Sequence, residues 1–198
     1  MRPRIAITGI GAVSAFGAGR ETFWASVSRG ASGTRGITEF DASTYPCRVA
    51  AAVPPLVDAP EPLDGEGASP DSRADPKRYS RAAHFGVRAA REAWNDAGLR
   101  FGEPRAGVII GSGGGGIDIG ERQYEEFFTN GGRQVTPYAI AIGICGMVSS
   151  EISIALGLRG ISHVLSTGCT SSTDAIGYAR LLLLLDEYDV LLSGGADG

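Results

Sequence analysis

The chain has 198 residues and a formal net charge of −4 with no block of basic residues, which argues against nucleic acid as a partner. Its hydrophobic content of 43% and mean hydropathy of +0.02 fit a water-soluble globular protein. The longest purely apolar run, Leu181 to Leu185, is far too short to span a bilayer, so no membrane association is expected. Three cysteines, Cys47, Cys145 and Cys169, have neither metal-ligand nor CxxC spacing. An odd count without a signal peptide fits a reducing cytoplasm.

In chain order, Arg4 to Thr8 reads as a short strand, and the loop after it begins a GxGxxG pattern at Gly9 and Gly11. Ser14 occupies the third glycine position and no acidic strand end follows, so a permissive turn is preferred there to a dinucleotide site. Glu21 to Arg29 reads as a helix that buries Phe23, Trp24 and Val27 and is closed by Gly30. Val49 to Val53 is a strand candidate. Pro54 to Pro76 holds six of the ten prolines and little that could form a core, which predicts an exposed loop.

Lys77 to Gly98 carries Ala82, Ala83, Gly86, Ala89, Ala90, Ala93, Trp94 and Ala97 at helical spacing, a small-residue stripe suited to close packing. His84 lies just off that stripe and reads as a surface or packing residue. Arg105 to Ile110 is a buried-type strand. The run Gly111 to Gly116 after it satisfies GxGxxG literally, leaving two readings open: a phosphate cradle, or a backbone wall beside an active site. A helix over Ile117 to Phe128 follows. Thr136-Pro137 is a helix start, and Tyr138 to Leu156 is apolar nearly all round, which predicts one helix buried centrally or in a subunit interface.

Ile161 to Leu165 is strand-like and meets a cluster of small residues, Ser166 to Ser172, that contains Cys169. Ala175, Ile176, Ala179, Leu182 and Leu183 then follow at helical spacing. Cys169 is therefore expected on a tight strand-to-helix turn, where the unpaired amides of the helix favour a thiolate. Cys47 and Cys145 read as small buried hydrophobes. Asp189 to Leu192 is a last strand. Strands alternating with helices predict an α/β fold with a mixed, mostly parallel sheet and covering helices. Chemistry in such sheets lies beyond the carboxyl ends of the strands.

The segment 165–179, LSTGCTSSTDAIGYA, resembles the active-site motif of β-ketoacyl-acyl carrier protein synthases, the condensing enzymes of fatty acid and polyketide assembly. The segments 5–17 (IAITGIGAVSAFG), 107–116 (GVIIGSGGGG), 130–140 (NGGRQVTPYAI), 157–169 and 189–197 (DVLLSGGAD) are similar to that family in the same order, so the resemblance covers nearly the whole chain. It implies the N-terminal half of a thiolase-like fold over residues 1–198. It further implies that Cys169 is the nucleophile and acyl acceptor, with its own backbone amide in the oxyanion hole. Acyl carrier protein is the implied partner, its phosphopantetheine carrying the substrates, with no separate cofactor and no metal. A homodimer through the strand Ile161–Leu165 and the apolar helix Tyr138–Leu156 is also implied.

The family's two catalytic histidines and a lysine lie in its second half, and neither His84 nor His163 falls at those positions. The isolated 198 residues are therefore expected to be incompetent for condensation. Asp186 stands where the family usually ends the cysteine helix with glycine. A thiolase-like enzyme using coenzyme A, and a non-catalytic half that pairs with a second chain, are the alternative readings.

Overall fold

The computed structural model describes residues 4–56, 63 and 79–198. Two short antiparallel pairs open the fold: β1 (Val13–Ser14) with β2 (Gly17–Ala18), then, after helix α1 (Arg20–Ser28), β3 (Arg35–Gly36) with β4 (Val49–Ala50). The main body consists of α2 (Arg81–Asp96), β5 (Ala106–Gly111), α3 (Ile117–Asn130), α4 (Ala139–Gly143), α5 (Met147–Leu156), β6 (Ser162–Leu165), α6 (Ser171–Leu184) and β7 (Val190–Gly195).

Strands β6, β5 and β7 form a parallel sheet with β5 in the middle. Side chains alternate across a strand, and β5 uses both faces. Val108 and Ile110, with Val190 and Leu192 of β7, pack into a core made by Ala82, Val87 and Trp94 of α2 and by Val148, Ile152 and Leu156 of α5. On the other face Ile109 meets Ala175 and Ala179 of α6, with Leu191 alongside. The result is helix, sheet, helix in three layers, as a parallel sheet with no solvent-facing side requires. Trp94 is 1% exposed, and its indole N–H donates to the Arg100 carbonyl at 2.9 Å, so its polar atom is satisfied.

The α/β expectation holds, and α2, β5, α3, β6, α6 and β7 lie where the sequence predicts them to within a few residues. Ser80 caps α2, its side chain accepting from the Ala83 amide at 3.2 Å. Most of the proline-rich segment 54–76 lies outside the described residues.

Four expectations are corrected. Arg4 to Thr8 forms no strand; Ile7 is 84% exposed, and the following segment docks on α2 instead. Its amides are taken by α2 carboxylates: Ile10 donates to Asp96 at 3.0 Å, and Ala12 and Arg20 donate to Glu92 at 3.0 and 2.8 Å. Gly9 and Gly11 are required for contact rather than for turning, because a Cβ would lie 2.0 Å from the Ala93 carbonyl oxygen at Gly9 and 1.9 Å from that of Ala89 at Gly11.

Helix α1 forms, but it buries Ser26 rather than its apolar residues; Phe23, Trp24 and Val27 are exposed. The single helix expected over Tyr138 to Leu156 is two, α4 and α5, broken at Ile144–Gly146. The cause is the glycine-rich loop, whose backbone takes the space a continuous helix would fill. A Cβ on Gly116 would lie 2.1 Å from the Ile142 carbonyl oxygen, and one on Gly115 would lie 2.5 Å from the Cys145 Cα. Lastly, Cys47 is exposed and Cys145 only half-buried, so neither fills a core position.

Candidate active site

The site forms at the carboxyl ends of the three parallel strands. Cys169 lies in a 3-10 turn, Gly168–Thr170, between the end of β6 and the first residue of α6, and it is exposed. Gly168 holds φ 71°, a conformation that glycine adopts without steric penalty. The chain thereby reverses within three residues and presents the thiol outward.

Hydroxyls hold this turn. Ser171, buried at the start of α6, accepts from the Thr167 amide at 2.9 Å and donates to the Gly168 carbonyl at 2.6 Å. Asp174, one helical turn on, accepts from Thr167 Oγ1 at 2.5 Å and Thr170 Oγ1 at 3.1 Å. Cys169 thus sits between two threonines tied to one carboxylate, which restricts where the thiol can point.

Two glycines allow α6 to start so close to the sheet. A Cβ on Gly111, at the end of β5, would lie 2.2 Å from the Ser171 carbonyl carbon and 2.3 Å from the Ser172 amide nitrogen. A Cβ on Gly195, at the end of β7, would lie 2.5 Å from the Ser172 Cβ. Neither distance is compatible with a side chain.

The glycine-rich loop Ser112–Gly116 lies beside this turn. The amides of Gly113 and Gly114 each donate to Asp197 Oδ1 at 3.0 Å, joined by Ser112 Oγ at 2.9 Å. A carboxylate of the chain itself thus engages the loop amides in this structure. Cys145 lies behind the loop, its Sγ 4.0 Å from the Gly113 carbonyl oxygen.

The histidines stand elsewhere. His84 is on α2, its ring edge-on to Tyr79 with centroids 5.2 Å apart. His163 is exposed on β6 and stacks on Tyr178 of α6 with centroids 6.4 Å apart and an interplanar angle of 7°. Each histidine packs its ring against a tyrosine. At the far end of α6, Asp186 adopts φ 60°, the left-handed turn where glycine was expected, and Arg105, itself at φ 51°, donates to the Asp186 carbonyl at 2.7 Å.

The sequence singles out Cys169 but not Ser112, Ser171, Asp174 or Asp197. Asp174 had a local signal, four residues beyond Thr170 on a predicted helix. Asp197 had none, since its partners lie more than 80 residues away.

The parallel α/β sheet with its covering helices is the fold of solved ketosynthases. The ketosynthase/chain length factor of ishigamide superposes with a TM-score of 0.82 and 27% identity over 100% of this chain and 48% of that one. Residues 2–198 match the N-terminal domain of β-ketoacyl synthases, and the chain belongs to that family. It is 34% identical over 201 residues to 3-oxoacyl-acyl-carrier-protein synthase 2 of Coxiella burnetii, across 98% of this chain and 45% of the relative. A ketosynthase of type II polyketide synthesis, solved with its acyl carrier protein, shares the fold at a TM-score of 0.75 and 20% identity over 100% of this chain and 46% of that one. The chain thus spans about half the length of the relatives it matches.

Proposed function

We propose that this chain carries the acyl-accepting half of a β-ketoacyl-acyl carrier protein synthase, with Cys169 as nucleophile. The observation that carries the reading is the placement of Cys169, exposed on a hydroxyl-braced turn at the carboxyl edge of the sheet, in a chain of this family. In the first step the Cys169 thiolate attacks the carbonyl of an acyl thioester held on the phosphopantetheine of an acyl carrier protein. The tetrahedral intermediate collapses, the carrier's thiolate leaves, and the acyl group remains on Sγ as a thioester. The Cys169 backbone amide is our assignment for one donor to the oxyanion.

In the second step a malonyl group on the carrier loses carbon dioxide, and the resulting carbanion attacks the acyl-Cys169 carbonyl. The new carbon–carbon bond displaces the Cys169 thiolate and yields a β-ketoacyl chain on the carrier. Decarboxylation needs donors to the developing enolate, and neither His84 nor His163 stands at the Cys169 turn. These 198 residues by themselves are therefore assigned acyl capture and not condensation. We assign no cofactor beyond the carrier's arm and place the reaction in the cytoplasm, in keeping with three free cysteines.

The proposal includes a homodimer. β6 is an edge strand of the sheet, and α4 leaves Ile140 83% exposed, so the segment 161–165 and the α4 part of the helical region 138–156 each offer a surface that a second copy would cover, while α5 lies in the core. Incubation with acyl-acyl carrier protein, followed by peptide mass spectrometry, tests the reading: Cys169 should gain the acyl mass, and Cys169→Ala should gain none. Acyl-coenzyme A as donor separates the coenzyme A alternative. A protein whose Cys169 takes no acyl group from either donor would sink the proposal.

A further inference from the structure

Asp197 ties together the ends of all three parallel strands. Its Oδ1 accepts from Ser112 Oγ at 2.9 Å and from the Gly113 and Gly114 amides at 3.0 Å, and its Oδ2 accepts from the Gly113 amide at 3.3 Å. Ser112 is fully buried; its amide donates to the Leu165 carbonyl at the end of β6 at 3.0 Å, and its hydroxyl accepts from the Gly115 amide at 2.9 Å. The neighbouring Ala196 amide donates to the Gly111 carbonyl at 3.0 Å, joining the ends of β7 and β5. These strand ends are the floor on which the Cys169 turn rests. Gly111 and Gly195 press against Ser171 and Ser172, and Ser171 holds Thr167 and Gly168 at the entry to the turn.

We infer that Asp197 is a positioning residue for acyl transfer to Cys169: its carboxylate locks the glycine-rich loop and the strand ends, and so fixes the turn that aims the thiol. The inference rests on the reading of Cys169 as acyl acceptor. The charge matters because three donors converge on one oxygen, an arrangement in which an ionised acceptor is about twice as strong as a neutral one. Without it the loop amides lack their partner, and the floor beneath α6 is free to shift.

The test is Asp197→Ala in the full chain, with acyl-Cys169 formation followed by mass spectrometry across a range of acyl-acyl carrier protein concentrations. The maximal rate should fall by about 10- to 100-fold, the range expected when a reacting group is misplaced by about 1 Å. The half-saturating donor concentration should hold, since Asp197 is not assigned to carrier binding. Excess formate, a small carboxylate able to enter the emptied nest, should restore part of the rate in Asp197→Ala and leave the unsubstituted protein unchanged. If Asp197→Ala does not fold, the isosteric Asp197→Asn decides by a smaller but measurable loss of maximal rate, since its amide oxygen keeps the acceptor and gives up the charge.

An Asp197→Ala protein that acylates at the unsubstituted rate overturns the inference. So does a loss that follows the unfolded fraction seen by circular dichroism and shows no response to formate. A parent protein whose Cys169 reacts with iodoacetamide yet accepts no acyl group overturns the acyl-acceptor reading itself, and the role of Asp197 with it.

Discussion

A single methyl group at Gly111 should dislodge Cys169 without touching it. In Gly111→Ala the new Cβ would lie 2.2 Å from the Ser171 carbonyl carbon, 2.3 Å from the Ser172 nitrogen and 2.4 Å from the Ser171 oxygen. All three are backbone atoms, so no rotamer change relieves the clash. To reach an ordinary separation near 3.4 Å, the start of α6 would have to retreat by roughly 1 Å, against a packed interior that resists such shifts. Overpacking of this kind costs about 1–3 kcal/mol and more where backbone must move. Gly177→Ala, in the same helix, is the control: nothing lies within 4 Å of its Cβ, so it should stabilise by roughly 0.5–1 kcal/mol through helix propensity.

Urea unfolding of the two variants reads stability, and acyl-Cys169 formation reads the position of the turn. A retreat of about 1 Å predicts acylation slower by about 100-fold in Gly111→Ala, with Gly177→Ala unchanged. Equal stability and equal acylation in Gly111→Ala and the parent would refute the claim that β5 sets the position of the cysteine.

Further outcomes follow from the same contacts. Trp94→Ala, emptying a fully packed site and removing the indole donor to the Arg100 carbonyl, should cost about 3–5 kcal/mol in chemical denaturation. Ser80→Ala should cost about 1 kcal/mol by losing the cap on the Ala83 amide. Asp186→Gly should raise stability modestly, by about 0.5–1 kcal/mol, because glycine accepts φ 60° freely; a fall in melting temperature would show that the Arg105 contact outweighs the backbone relief. Arg20, and after it the Ile10 amide, hold the Asp96 carboxyl below its ordinary pKa. Its stabilisation is therefore complete above the ordinary carboxylate range and is lost as pH falls through the lowered value. Urea midpoints measured down to about pH 2 should fall less steeply in Asp96→Asn than in the parent, and identical slopes would contradict the assignment.

The elements easiest to read in the sequence were those whose signals are local. The small-residue stripe from Ala82 to Ala97 marks α2, the apolar run at 106–110 marks β5, and the abrupt change from Leu165 to Ser166 marks the turn that carries Cys169. What escaped was decided between segments distant in sequence. The segment from Ile10 to Arg20 is held to α2 by its carboxylates, and no periodicity announces Glu92 or Asp96 as partners of Ala12 and Ile10. The break between α4 and α5 comes from Gly115 and Gly116 pressing on residues 142–145, a contact across some thirty residues that hydropathy does not record. The glycine run matched a phosphate-binding pattern, and its pairing with Asp197 from beyond β7 spans more than 80 residues that no local pattern connects.

The central place of β5 also sets an order of events during synthesis. Its two neighbours are made roughly 50 and 80 residues after it, so at translation speeds of about 5–20 residues per second its second edge waits several seconds for β7. Through that interval an apolar strand buried on both faces in the finished fold has no partner on one side. Pairings between such distant segments close slowly and leave sticky edges open to other chains. A nascent chain of this kind is a natural client for a chaperone, and its yield on expression should depend on growth temperature more than its final stability suggests.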